Sequence, residues 1–142
     1  MNTFEVKASF VQTQEDGLQK KVTKPYIVQA LSCTDAETKA MLWLTGYGCQ
    51  ELSVKSVKEK KYVEILLGDG AYYNVKVTYI TIDERTEKEK KTPCMYLVQS
   101  DNFDEAIKKI KEFMKGTMID YYVSSITETA IDDCFIDEKQ EG

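Results

Sequence analysis

The chain has 142 residues, of which 42% are hydrophobic and 30% are charged, ordinary values for a globular protein with a single core. Its formal net charge of −5 is uneven, because residues 129–142 hold five acidic residues and one lysine and the preceding part is close to neutral. This balance does not by itself indicate simple, non-specific binding to nucleic acid or to anionic lipid.

The first strands are predicted near the N-terminus. Apolar and polar residues alternate over Phe4–Phe10, which is the period of a half-buried strand and turns Lys7 toward solvent. A polar segment, Gln14–Lys24, predicts a turn, and Tyr26–Leu31 predicts the return strand. We therefore expect a hairpin.

A helix and two further strands follow in the first half. Thr34 and Glu37 have the spacing of a capping box, which predicts a helix from about residue 35 to residue 45. Third and fourth strands are predicted at Glu51–Val57 and Tyr62–Leu67, the fourth at a sheet edge.

The second half repeats the first. The matched blocks are Phe4–Val11 with Tyr73–Ile80, Lys20–Lys21 with Lys90–Lys91, Tyr26–Gln29 with Tyr96–Gln99, and Val54–Val57 with Val123–Ile126. The match extends along both halves in one order, which indicates an internal duplication. The second half is predicted to contain a turn over Asp83–Thr92, a return strand at Cys94–Gln99, a helix between Asn102 and Gly116, and strands at Asp120–Ile126 and Ala130–Ile136.

These elements predict an α+β fold of internally duplicated ββαβ(β) units. We expect antiparallel sheets, each with one packed helix, related by a pseudo-twofold axis. The repeats span residues 1–67 and 71–136, and residues 137–142 form an acidic tail. A unit of this size is small for an independent core, so we expect one compact domain overall.

Several kinds of catalytic site lack their residues. The chain has no histidine, no Cys-x-x-Cys pair and no glycine-rich phosphate loop. The adjacent Asp132 and Asp133 would point to opposite faces of a strand, which disfavours a metal site. Four separate cysteines are expected to be reduced thiols. We therefore expect a non-enzymatic protein without metal or cofactor.

Lysines at matching positions of the two halves are the candidate nucleic-acid contacts. They are Lys7, Lys20, Lys21, Lys76, Lys90 and Lys91. Lysine-bearing strands and nearby tyrosines can bind single strands by phosphate contacts and base stacking. The alternative is that these lysines, and the basic run Lys55–Lys61, bind no ligand and only keep hairpins and sheet edges solvated.

Five segments resemble a known family. They are Tyr73–Tyr79, Glu87–Lys91, Tyr96–Ala106, Met114–Met118 and Ile126–Asp132. They are similar to an uncharacterised family, a domain of unknown function found in gut anaerobes and in their tailed phages. The resemblance implies a small cytosolic protein, and it carries no catalytic residue onto this sequence.

We expect an accessory protein that binds single-stranded DNA in phage replication or recombination. The alternative is a protein-binding module, such as a phage-encoded inhibitor or adaptor of a host protein. A homo-oligomer and a protein-recruiting acidic tail are compatible with both. The first residues contain no secretory signal and no stretch is long enough to span a membrane, so we expect a cytoplasmic location.

Overall fold

The computed structural model describes residues 1–136, which divide into two compact units. The first unit combines residues 1–61 with residues 130–136, and the second comprises residues 62–129. In chain order, the elements are β1 (Asn2–Thr13), β2 (Gln19–Ala30), α1 (Cys33–Gly46), β3 (Gln50–Lys60), β4 (Tyr62–Leu66), β5 (Ala71–Ile82), β6 (Glu89–Ser100), α2 (Phe103–Phe113), β7 (Asp120–Glu128) and β8 (Asp133–Phe135).

Each unit contains a four-stranded sheet and one helix. The strand order is β3-β1-β2-β8 in the first unit and β7-β5-β6-β4 in the second. Neighbouring strands are antiparallel, except that β8 runs parallel to β2 and β4 runs parallel to β6. The predicted α+β class with antiparallel-rich sheets is confirmed.

The fourth strand of each half does not pair with the strands just before it. β4 follows β3 after a single residue, Lys61, yet it pairs with β6, and β8 follows β7 but pairs with β2. A hairpin needs about two turn residues, so β4 has no room to fold back on β3. The sequence repeats place β4 in the first half and β8 in the second. The compact units assign β4 to the second unit and β8 to the first.

The predicted alternation of β1 and β5 is confirmed. Phe4 and Val6 are 2% and 0% exposed, and their counterparts Tyr73 and Val75 are 3% and 0% exposed. These residues lie on the side of each sheet that packs against its helix. Three residues depart from the alternation: Tyr79 remains half-buried, and Ser9 and Thr78 on the opposite face are buried at 1% and 6% exposure.

Both hairpins are longer than predicted, and the polar segments Gln14–Lys24 and Asp83–Thr92 are not turns throughout. β2 begins at Gln19 and β6 begins at Glu89, so residues 19–24 of the first segment and residues 89–92 of the second are strand. Their backbone groups pair along the β1–β2 and β5–β6 ladders, which override the turn preference of the polar residues.

The helix caps occupy matching positions. Asn102 caps α2 as predicted, since its Oδ1 accepts a hydrogen bond from Glu105 N at 2.8 Å. The predicted Thr34 cap of α1 is wrong. The Ser32 Oγ accepts from Asp35 N at 3.1 Å, and the helix already begins at Cys33.

A lysine of each helix forms a hydrogen bond with a neighbouring strand, β2 in the first unit and β6 in the second. Lys39 Nζ donates to the Gln29 carbonyl at 3.2 Å, and Lys109 Nζ donates to the Gln99 carbonyl at 2.5 Å. The helices bury small and branched apolar residues against the sheets. They are Ala36, Ala40 and Leu44 in α1, and Ala106 and Ile110 in α2.

Candidate nucleic-acid interface

The predicted hairpin lysines occupy equivalent ladder positions. The cross-strand pairs are Gln12–Lys20 and Val11–Lys21 in the first hairpin, and Thr81–Lys90 and Ile80–Lys91 in the second. All four lysines are exposed. Because successive side chains alternate across a strand, the two lysines of each hairpin lie on opposite faces of the ribbon.

Lys7 and Lys76 are also equivalent, but their accessibility differs. Each lies on the sheet face away from the helix, where Lys7 is opposite Ser56 and Lys76 is opposite Ser125. Lys7 is exposed, as predicted, whereas Lys76 is half-buried, so the predicted exposure of Lys76 is only partly right.

The centre of the face that carries Lys7 and Lys76 is not an open stacking platform. Ile27 and Leu97 lie on this face and have no exposed surface. Tyr72 is also buried, at 5% exposure. The tyrosines with the most accessible rings are elsewhere, namely Tyr47, which is 64% exposed, and Tyr122, which is 42% exposed.

Strand β3 brings further lysines next to Lys7. Lys58 lies opposite Glu5, on the same face as Lys7 and two residues along the ladder. Lys55 is exposed at the bulge between the Lys7 and Ala8 pairings. We give the name first-unit lysine surface to five exposed lysines of these strands: Lys7, Lys20, Lys21, Lys55 and Lys58. Lys7, Lys21 and Lys58 share one face, whereas Lys20 lies on the other.

Sequence reasoning missed the proximity of Lys58 to Lys7, because it depends on the register between β1 and β3. The run Lys55–Lys61 is the available signal, and the sequence leaves both solvation and phosphate contacts open for it. Once β3 is known to pair with β1, the strand spacing brings the two ammonium groups within reach of neighbouring phosphates.

The first-unit lysine surface includes a carboxylate on the face of Lys7, because Glu5 lies opposite Lys58 and two residues from Lys7. Within residues 1–136, none of its five lysines has an ion-pair partner, while nearby Lys24 pairs with Asp132 at 3.6 Å. The described residues of the first unit, 1–61 and 130–136, carry nine lysines and nine acidic residues, so the lysines are concentrated locally and the unit has no net positive charge. The second hairpin differs, because acidic residues interrupt its lysines. They are Asp83, Glu84, Glu87 and Glu89.

A second polar cluster in the first unit does not resemble a catalytic site. Burial raises the pKa of the Cys49 thiol, Asp132 raises it further, and Lys24 partly opposes the shift. Burial and a hydrogen bond to Asp132 also raise the pKa of Tyr26. Both groups stay protonated at neutral pH, and a protonated thiol is a poor nucleophile.

Residues 1–136 contain no group of three or more potential metal ligands. They also contain no helix that is both long and apolar enough to cross a bilayer. The predicted acidic tail, residues 137–142, lies outside the described residues.

Comparison with known proteins identifies one family. The family model described as Domain of unknown function (DUF4494) matches residues 2–137, nearly the whole chain. This match agrees with the sequence resemblance to a family of unknown function. No curated protein and no solved structure matches the chain.

Proposed function

The chain belongs to the DUF4494 family of unknown function, and we propose that it binds single-stranded nucleic acid without catalysing a reaction. The observation that carries this proposal is the first-unit lysine surface, defined above. Lys7 and Lys58 share one face of adjacent strands, and within residues 1–136 neither ammonium group forms an ion pair, although Glu5 lies on the same face. Such groups release counterions when they contact phosphates.

The second unit has a lesser role in this proposal. Lys90 and Lys91 are exposed, but Glu87 and Glu89 precede them closely in sequence, and Lys76 is half-buried. Arg85 is the single arginine, so bidentate recognition of bases by guanidinium groups is not part of the mechanism. Phosphate contacts therefore dominate, and they carry little sequence information.

The two units are proposed to descend from an internal duplication. Matching helix caps at Ser32 and Asn102, and matching lysine bonds from Lys39 and Lys109, support this origin. We further propose a cytoplasmic, phage-associated protein, as the sequence resemblance implies. Its proposed role in replication or recombination rests on the lysines and not on the resemblance.

Fluorescence anisotropy with labelled single-stranded oligonucleotides at two salt concentrations tests the proposal. Each phosphate contact on a single strand contributes a slope of about −0.7 to the dependence of log K on log salt. The double variant Lys7→Ala/Lys58→Ala should therefore make the slope shallower by about 1.4. The matched control, Lys88→Ala/Lys115→Ala, removes two exposed lysines of the second unit and should leave the slope unchanged.

The comparison includes a chain without residues 137–142, because acidic residues can compete with phosphates for the lysines. The proposal would be refuted if neither the full chain nor the shortened chain bound the oligonucleotide at low salt. Binding that does not strengthen as the salt concentration falls would also refute the proposal.

A protein-binding module is the second candidate, and edge strand β7 favours it. In the ladders, Lys58 of β3 corresponds to Thr127 of β7, and the bulge residue Lys55 corresponds to Ser124. Lysines protect an exposed edge from pairing with another strand, and β7 contains none. A stoichiometric partner that survives nuclease treatment, and is lost in Thr127→Lys, would support an inhibitor or adaptor role instead.

A further inference from the structure

A polar cavity of about 290 Å³ opens in the first unit beside the end of the β1–β2 hairpin. The end of β1, the start of β2 and the segment that joins α1 to β3 form its walls. We call it the glutamine cavity, because three glutamines line it together with two aromatic rings. These residues are Gln12, Gln19, Gln50, Phe10 and Tyr47.

The lining suits a small, flat, uncharged group that both donates and accepts hydrogen bonds. Each glutamine amide offers an acceptor oxygen and two donor hydrogens. Tyr47 lines the cavity and is 64% exposed, so part of its ring is open to a stacking partner, although the ring centre also lies 6.2 Å from that of Phe135. The volume lies at the lower end of the range for ligand sites, which selects a group of about one ring system.

A cationic rim accompanies the glutamine cavity. Lys20 is the cross-strand partner of Gln12, so both side chains lie on the same face of the hairpin. Lys24 Nζ lies 6.0 Å from the centre of the Phe10 ring, although it is also paired with Asp132. Lys20 is therefore placed to meet an anionic group attached to whatever the cavity holds.

The second unit provides an internal comparison. In its ladders, the positions of Gln12, Gln19 and Gln50 are taken by other residues, two of them acidic. The equivalents are Thr81, Glu89 and Asp120. Carboxylates at these positions repel a phosphate-bearing ligand, and the fold accepts them. The three amides of the first unit are thus not required for folding, which points to a binding role.

We propose that the glutamine cavity receives one base of a single strand, stacked on Tyr47 and hydrogen-bonded by the amides. Lys20 contacts an adjacent phosphate. The proposal rests on the proposed nucleic-acid binding and adds a base subsite to it. Bases present donors and acceptors on a flat aromatic ring, which matches stacking rings and amides together.

Anisotropy with labelled single-stranded oligonucleotides tests the subsite. Tyr47→Ala should weaken binding by about 5-fold to 100-fold, the usual range for loss of one base–aromatic stack. Its salt slope should stay that of the wild type, because no phosphate contact is removed. Gln50→Asp, which installs the residue of the second unit, should also weaken binding. Tyr122→Ala, the exposed-tyrosine control on β7, should remain within about twofold.

The outcomes separate the two proposals. If the wild type binds and both Tyr47→Ala and Gln50→Asp stay within about twofold of it, the subsite is overturned and strand binding stands. A wild type that binds no oligonucleotide at low salt overturns both. Equal weakening by Tyr47→Ala and Tyr122→Ala overturns the assignment of the base to this cavity.

Discussion

Phe4 and Lys7 lie three residues apart on β1 and face opposite sides of its sheet. Phe4 is 2% exposed among the core residues of the first unit, whereas Lys7 is exposed. Phe4→Ala should lower the free energy of unfolding by about 3–5 kcal/mol, the usual cost of deleting a buried aromatic ring. Lys7→Ala should change it by no more than about 0.5 kcal/mol. Urea denaturation measures both, and a larger loss in the lysine variant would reverse the strand assignment.

The Tyr96 hydroxyl gives the second unit a dependence on alkaline pH. Burial and a hydrogen bond between the Tyr96 and Tyr79 hydroxyls, 2.6 Å apart, raise the pKa of Tyr96 above its ordinary value of 10.0. Below pH 10 both folded and unfolded chains keep this proton, so the raised pKa has no effect there. Above pH 10 the unfolded chain loses the proton first, and the folded state is destabilised.

Tyr96→Phe should therefore reduce the loss of stability between about pH 8 and pH 11, compared with the wild type. Urea denaturation at several pH values measures the difference, and lysine titration is common to both proteins. Identical pH profiles for the two proteins would contradict the buried position of this hydroxyl.

At the scale of elements, the two helix caps make a matched pair. Ser32→Ala and Asn102→Ala should each cost about 1 kcal/mol, because each removes an acceptor for a backbone N–H of the first helical turn. Thr34→Ala should cost less than about 0.5 kcal/mol, since its hydroxyl does not cap α1. Chemical denaturation of the three variants tests the assignment, and a Thr34 effect as large as that of Ser32 would refute it.

The misplaced cap shows how local sequence signals compete. Thr34 and Glu37 have capping-box spacing, but Ser32 and Asp35 have a related spacing two residues earlier. Asp35 Oδ2 also accepts a hydrogen bond from Leu31 N at 2.9 Å, which completes a reciprocal cap around Ser32. Both signals were present in the sequence, and only the observed start of the helix distinguishes them.

The buried face of a strand was predictable from the sequence. The strands that pair with each other in a sheet were not. The alternation of Phe4–Phe10 is local, so the buried face of β1 follows from the sequence. The pairing of β8 with β2 joins residues about a hundred positions apart, and three residues provide no register signal. The same limit hid the position of Lys58 beside Lys7, which needs the β1–β3 ladder. The candidate site was therefore predicted in residue type and only partly in location.

At the scale of the whole molecule, the first unit is formed by two segments of the chain that are far apart in sequence. The chain builds β1, β2, α1 and β3, then forms the second unit, and returns to add β8. The first unit is therefore incomplete until residues 130–136 are available, and its closure depends on contacts distant in sequence. Such contacts slow folding, because the chain entropy is lost before the contacts form.

Phe135 anchors the returning strand, and its removal tests the importance of this closure. Its ring stacks on Tyr26 at 5.0 Å and on Trp43 at 4.8 Å between centroids, and it is 3% exposed. Phe135→Ala should cost about 3–5 kcal/mol. It should also change the fluorescence of Trp43, the single tryptophan, and speed hydrogen exchange at residues 26–28.

Val63→Ala is the matched control for Phe135→Ala. Val63 belongs to β4, the fourth strand of the first half, and is 56% exposed, so its substitution should cost less than about 0.5 kcal/mol. Equal small effects of the two substitutions would show that β8 contributes little to the stability of the first unit.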